Sequence, residues 1–333
     1  MLSVYPEQAQ DEWIITQRPP RNQLEPYKPN EFFLERELSA SGRVATSAVI
    51  LLTNRECPWR CLMCDLWKNT LPYSVPPGAI PAQIEYALAR IDTRPEQIKL
   101  YNSGSFFDAA AIPVEDYPLI AEKVSDAERV IVESHPKLIG ERTIAFRNEL
   151  AETQLEVAMG LETIHPSILP RLNKKMTLEL FLEAAGILNR SGIILRAFVL
   201  IKPPLMIESD AVEWGVKSAG FAFQCGAAVV SLIPTRAGNG AMERLIENGE
   251  FSPPSLHTVE KAFEECLARF GDPRGSSASE VGLQRRVFVD TWNLEQFSRC
   301  PHCFKPRRSR LCQMNLLQEI PPAVNCFFCK GVM

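Results

Sequence analysis

The sequence predicts an α/β protein: a partial (β/α)6 TIM-like barrel followed by a small C-terminal cysteine-rich metal-binding segment. Three observations carry this. From about residue 45, short β-branched or aliphatic runs alternate with longer helix-like stretches. The apolar runs are continuous, which is the pattern of parallel strands covered on both faces. Beyond residue 283 the composition changes, and Cys300, Cys303, Cys312, Cys326 and Cys329 fall within 30 residues.

Strands are expected at 47–53, 97–103, 129–134, 155–160, 194–200 and 227–233, with a seventh at 285–290 after a helix at 255–270. The stretches between them, such as "TLELFLEAAGILNRSG", begin near Pro, Asp, Thr or Gly, as helix starts do. Six such units place chemistry at the C-terminal ends of the strands. An open doubly wound sheet is the rival. No G-x-G-x-x-G follows the first strand, which weakens its dinucleotide-binding form. The expected divisions are an N-terminal arm (1–44), the barrel (45–282, its 271–282 stretch a loop) and a C-terminal extension (283–333). The arm is polar and proline-bearing, and should close over part of the barrel and end in a short helix.

The 333 residues suit one barrel plus extensions. Hydrophobic residues at 46% and charged residues at 23% allow a large core. A net charge of −4 argues against coating nucleic acid by charge alone, but leaves room for a local basic patch. No basic-then-apolar leader and no run of 18 apolar residues is seen, so a cytoplasmic protein with no membrane partner is expected. Ten cysteines in such a protein point to metal before disulfides. Cys225 and Cys266 stand alone in apolar patterns and fit the core. With four histidines, a histidine-rich metal site is disfavoured.

"NRECPWRCLMCDLWKNT" follows the first strand with the spacing C-x-x-x-C-x-x-C. Cys57, Cys61 and Cys64 are close enough for one loop to wrap them around a small inorganic group. A structural zinc site wants four protein ligands, so zinc here, the rival reading, would need a distant fourth ligand. Three thiolates on a [4Fe-4S] cube leave one iron free for a substrate or cofactor. Trp59 and Trp67 flank the loop and would shield it.

This spacing resembles the signature of the radical S-adenosylmethionine enzymes. The resemblance implies that S-adenosylmethionine chelates the free iron. One electron then breaks its sulfur–carbon bond, and a 5′-deoxyadenosyl radical abstracts hydrogen from a substrate. It also implies an electron donor such as flavodoxin or ferredoxin. Met63, before the third cysteine, would pack near the adenine. Asn102, Ser103, Gly104 and Ser105, in "YNSGSFFD", stand where the family has a Gly-Gly-Glu-like turn for the cofactor's amino group; the Glu is absent.

Glu133 and His135 are two apart and face one side of a strand. Gly160, Glu162 and Thr163 end the next strand in "MGLET". Arg196, within apolar "ILRAFVL", needs a carboxylate. That of the cofactor is favoured over Glu162 or Glu133. The glycines of "PTRAGNG" would let the backbone approach the adenine or would make a turn.

"ESHP", "LEVAMGLET" and "LNKKMT" are similar to the subgroup of the Elongator catalytic subunit and the radical subunit of archaeosine synthase, over about residues 45–245. Both act on transfer RNA, so a transfer-RNA nucleoside or related small molecule is an implied substrate.

Cys300-Pro-His-Cys303 and Cys326-Phe-Phe-Cys329 form two C-x-x-C pairs near zinc-ribbon spacing. Zinc is expected, with a second iron–sulfur cluster as rival. His302 and Cys312 are spare ligands. Lys305, Arg307, Arg308 and Arg310 lie between the pairs and would meet phosphate or form a solvated face. Trp292, Phe304, Phe327 and Phe328 would stack bases or pack the module. The competing function is a non-catalytic zinc-dependent nucleic-acid-binding module.

Overall fold

A computed structural model describes residues 3–271 and 285–329; the loop expected at 271–282 lies, after Gly271, outside the described residues. One eight-stranded sheet organises the chain: β1 (Glu31–Leu38), β2 (Val44–Leu51), β3 (Gln97–Tyr101), β4 (Arg129–Ser134), β5 (Gln154–Glu162), β6 (Ile194–Ile201), β7 (Val229–Pro234) and β8 (Arg286–Val289). The spatial order is the chain order. β1 pairs antiparallel with β2, and every later pair is parallel. A doubly wound sheet reverses its strand order, so the sequential order excludes that rival.

The helices are α1 (Gln10–Thr16), α2 (Ala79–Leu88), α3 (Tyr117–Val124), α4 (Glu141–Glu149), α5 (Leu178–Arg190), α6 (Ala211–Gln224), α7 (Ala241–Glu247), α8 (Leu256–Phe270) and α9 (Pro301–Leu317). From β2 onward each strand is followed by helix, so the six expected units are present and β8 adds the seventh strand. Among the described residues, no helix is long and apolar enough to cross a membrane.

The sheet curls into a half-barrel. Its outward side chains, among them Ile50, Leu100, Val132, Val157, Val199 and Leu232, form one core under the helices with Ile84, Phe146, Phe181 and Phe263. Cys266 and Cys225 are buried in the same core, as expected of lone apolar cysteines. Among the described residues, edge strands β1 and β8 form no ladder with each other, but Arg286 Nη1 donates to the Leu38 carbonyl at 2.9 Å.

The inner face departs from the expectation of apolar strands on both sides. At the N-terminal ends of the parallel strands it is ionic. Arg196 donates through Nε to Glu156 at 2.6 Å and through Nη2 to Glu37 at 2.5 Å, while Lys99 reaches Glu37 at 2.6 Å and Arg129 reaches Glu156 at 3.1 Å. Two residues along, Tyr101 and Phe198 meet edge to face across the interior, centroids 6.2 Å apart. Arg196 therefore does not reach a cofactor carboxylate. It is 2% exposed, belongs to the base of the barrel, and pairs with neither Glu162 nor Glu133.

The arm also differs from expectation. Residues 31–38 are a strand, not a short helix. The two-residue strand period puts Glu35 and Glu37 on the same, inner face, where both bond Lys99.

Candidate functional site

The chain leaves β2 over Thr53 and Asn54 and forms the cysteine loop at the C-terminal mouth of the half-barrel. Backbone bonds fix both ends of the loop: Leu71 N–H donates to Asn54 O at 2.8 Å, and Glu56 N–H to Leu71 O at 3.0 Å. Leu62 N–H donates to Leu172 O at 2.9 Å. Two amides from other strand ends peg its carbonyls. Asn239 Nδ2 donates to Leu62 O at 2.7 Å and Cys64 O at 3.1 Å, and Asn173 Nδ2 donates to Arg60 O at 2.6 Å. The sequence reading missed both.

The arm closes over this loop. Arg18 pairs with Glu56 at 2.7 Å, and Arg21 pairs with it too. Burial alone would raise the Glu56 carboxyl, but Arg21, Arg18 and Arg60 hold it below its usual range. Arg18 also covers the Trp67 ring at 4.5 Å, and Trp67 is buried beneath it. Tyr5, Ile14, Leu62 and Met242 form a satellite core beneath α1. Gly240 is required by the arm: with φ +87°, a Cβ there would strike Gln17 O. Its close approach is to this chain's own backbone.

Burial pushes the thiols of Cys57, Cys61 and Cys64 each up to about 12, and each raises another through mutual charge. Left to themselves all three keep their protons at neutral pH. A bound cation would displace those protons, because thiolates are the ligating form. Among the described residues these three thiols do not all come within the 4.8 Å of a single-ion site; a four-iron cube would take its thiolates on separate corners, farther apart. Gly104 is the neighbour that permits this packing: its Cβ would lie 3.2 Å from Cys57 Cβ.

The expected cofactor residues ring the loop. Asn102 is fully buried, and among the described residues neither its Oδ1 nor its Nδ2 has a partner. Such an orphaned amide costs free energy unless a ligand completes it. Ser103 takes φ +53°, and Ser105 Oγ accepts the His135 N–H at 2.9 Å. The missing Glu of the turn has a neighbour from the next strand: Glu133 Oε1 accepts Asn102 N–H at 2.7 Å. Burial raises its carboxyl to about 7 against those backbone donors. His135, held neutral by burial, stacks under Trp59 at 3.8 Å.

Glu162, at φ +64° after a bulge, accepts Lys174 Nζ at 2.6 Å. Gly160 makes room, since a Cβ there would strike both groups. Lys174, in the "LNKKMT" run, is buried and its charge lowers the Cys57 and Cys61 thiols, a role the run does not signal. Met63 sits half-buried between two satellite cores.

The second cysteine group converges, but not as a ribbon. Cys300 caps α9 with Pro301 at its first turn, and Cys303 follows on the helix. Cys326 and Cys329 approach on a 3-10 turn, Phe327–Cys329. All four thiols lie within 4.8 Å of one another, with Cys300–Cys326 at 3.9 Å and Cys303–Cys329 at 3.5 Å. Zinc–sulfur bonds of about 2.3 Å make a tetrahedron with edges of about 3.8 Å. The spacing is therefore that of one ion; a four-iron cube sets its thiolates on separate corners, farther apart. Backbone N–H groups of Cys303 and His302 help hold the Cys300 thiol down to about 6.

The basic run divides. Arg307 pairs with Glu260, and Arg310 pairs with Glu260 at 2.8 Å and with Glu264; these two fasten α9 to α8 instead of meeting phosphate. Phe304 packs against the main core, and Trp292 leans on Phe33 at 6.0 Å. His302 stacks on Phe328 and Cys312 lies outside the tetrad, so neither spare ligand is used. Reconstitution with zinc should give one ion per chain. Cys303→Ser should lose it, with faster amide exchange over 318–329 in hydrogen-exchange mass spectrometry and the cysteine loop unaffected.

The half-barrel with a C-x-x-x-C-x-x-C loop at its mouth resembles the radical S-adenosylmethionine proteins. Within it, the chain is similar to archaeosine synthase subunit beta of Methanosarcina acetivorans, 26% identical over 283 residues, covering 76% of this chain and 81% of that one. An uncharacterized protein of Methanocaldococcus jannaschii is 25% identical over 310 residues, 88% of this chain and 82% of that one. Among solved structures, coproporphyrinogen III oxidase from Escherichia coli, described as a radical SAM enzyme, aligns at a TM-score of 0.45 and 13% identity, covering 66% of this chain and half of that one. No family model matches.

Proposed function

We propose that this protein is a radical S-adenosylmethionine enzyme. Cys57, Cys61 and Cys64 would hold a [4Fe-4S] cluster, and the orphaned Asn102 amide carries the case for a ligand beside it. When bound, the cluster supplies the electron that splits S-adenosylmethionine. The chain's own part is positioning and exclusion. Asn102, Ser103, Gly104 and Ser105, with Glu133 beneath, would take the amino-acid end of the cofactor. Glu162 offers its free oxygen, and Met63 offers an apolar wall. The arm, through Tyr5, Arg18 and Arg21, keeps water off the cysteine loop.

The substrate is proposed as a transfer-RNA nucleoside or a related small molecule, in keeping with the archaeosine synthase relative. That relative's designation as a subunit supports a partner subunit, and a flavodoxin or ferredoxin would donate the electron. A cytoplasmic setting would keep the thiols reduced. The C-terminal tetrad would hold zinc. A purely zinc-binding, non-catalytic module accounts for that tetrad but leaves the mouth without a role. Anaerobic reconstitution with iron and sulfide tests the choice. Four irons, broad visible absorbance and 5′-deoxyadenosine released on strong reduction are expected. A colourless protein holding zinc alone refutes the enzyme.

A further inference from the structure

Residues 299–318 contain five cations and no carboxylate, within a chain whose net charge is −4. The structure sorts the four of them that lie on α9 by direction. Arg307 and Arg310 are turned inward to Glu260, on the side of α9 that buries Cys303, Leu311 and Met314. At 3.6 residues per turn the opposite side presents His302, Lys305 and Arg308 as one stripe. Lys305 and Arg308 are exposed and, among the described residues, have no carboxylate partner.

The stripe ends in an aromatic platform. Phe328 stacks on His302 at 4.0 Å and 18°, and Phe327 stands edge-on to Phe328 at 6.1 Å. Phe327 is 81% exposed and Phe328 65% exposed. Two adjacent phenylalanines left in water, next to the thiols of a metal tetrad, are held out rather than packed. Open ring faces beside unneutralised cations complement a chain with flat bases and repeating negative charge. A protein partner of acidic character would match the cations but has no need of a stacked ring face.

We propose that this outer face of the C-terminal module binds unpaired nucleotides of an RNA. Bases stack on Phe327 and Phe328, and phosphates run along Lys305 and Arg308. The proposal deepens the functional reading above by giving its substrate class a docking surface, and takes the choice of RNA from it. The two stand apart experimentally, because this face needs no iron.

The test uses zinc-loaded full-length chain, both wild type and with Cys57, Cys61 and Cys64 replaced by alanine. The probes are unfractionated transfer RNA and a single-stranded RNA dodecamer carrying 2-aminopurine. Both proteins should bind both probes and quench the base fluorescence. Phe327→Ala and Phe328→Ala, exposed positions that leave the tetrad intact, should each weaken binding roughly tenfold and remove the quenching. Lys305→Ala with Arg308→Ala should lower the slope of log affinity against log salt by about 1.4, about 0.7 for each single-strand phosphate contact. The inference is overturned if wild type binds neither probe at low salt, or if both sets of variants bind as wild type. Failure of iron reconstitution would leave this result untouched, and its failure would leave the cluster untouched.

Discussion

Cys61→Ala is expected to abolish iron uptake at the barrel mouth and to bring release of 5′-deoxyadenosine to background. The Cys61 thiol feels burial first, then Lys174, Cys57 and Glu162. A cube anchored by two thiolates would lose one corner of its protein ligation and expose a second iron. The loop itself should survive the change. Its backbone is held by Leu172, Asn173 and Asn239 through carbonyls and amides that alanine keeps. Circular dichroism and zinc content should therefore match wild type while iron and visible absorbance are lost. Cys225→Ala serves as the control, because that thiol is a core residue and should leave iron at four per chain. Retention of four irons by Cys61→Ala would remove the three-cysteine site from the account.

The strands, the cysteine loop and the two C-x-x-C pairs were legible because each is a local pattern. Six apolar runs mark β2 to β7 to within a few residues, and Glu133 with His135 was readable from the two-residue strand period. What was not legible is long-range. β1 looks like helix because its charged residues face a barrel interior that no local pattern reveals. Of the two carboxylates on Arg196, Glu37 is 159 residues away, and Asn239 reaches Leu62 from 177 residues away. Lys174 carried a weak signal, a lysine in a run that ends buried. The helix at Cys300 carried a stronger one that went unused: a proline directly after the first cysteine favours the first turn of a helix over a ribbon knuckle. Among the basic residues, only the tertiary structure shows that Arg307 and Arg310 are spent on α8.

Arg196→Met should destabilise the fold by about 3–5 kcal/mol, the cost of breaking a buried ion pair from one side, and lower the melting temperature by roughly 10 °C. The variant leaves Glu37 with Lys99 and Glu156 with Arg129, each carboxylate losing its closest guanidinium bond. The pH dependence carries a definite sign. Burial alone would raise both carboxyls, but Arg196 with Lys99 at Glu37, and Arg196 with Arg129 at Glu156, hold them below the ordinary range. Their folded pKa values thus lie under the unfolded ones. The stability they add is complete above the unfolded carboxylate range near 4.3 and is lost as pH falls through the folded values. Removing Arg196 shrinks the depression, so acid unfolding of the variant should begin at higher pH than in wild type. Thermal melts at neutral pH and across the acid range measure both effects. The same variant separates two roles for this arginine. A contact to the cofactor carboxylate predicts lost S-adenosylmethionine binding with the melting temperature kept. A strut at the base of the barrel, at the opposite strand ends from the cysteines, predicts a lowered melting temperature with iron uptake intact below it. Unchanged melting and acid stability would show that the network contributes nothing to holding the half-barrel closed.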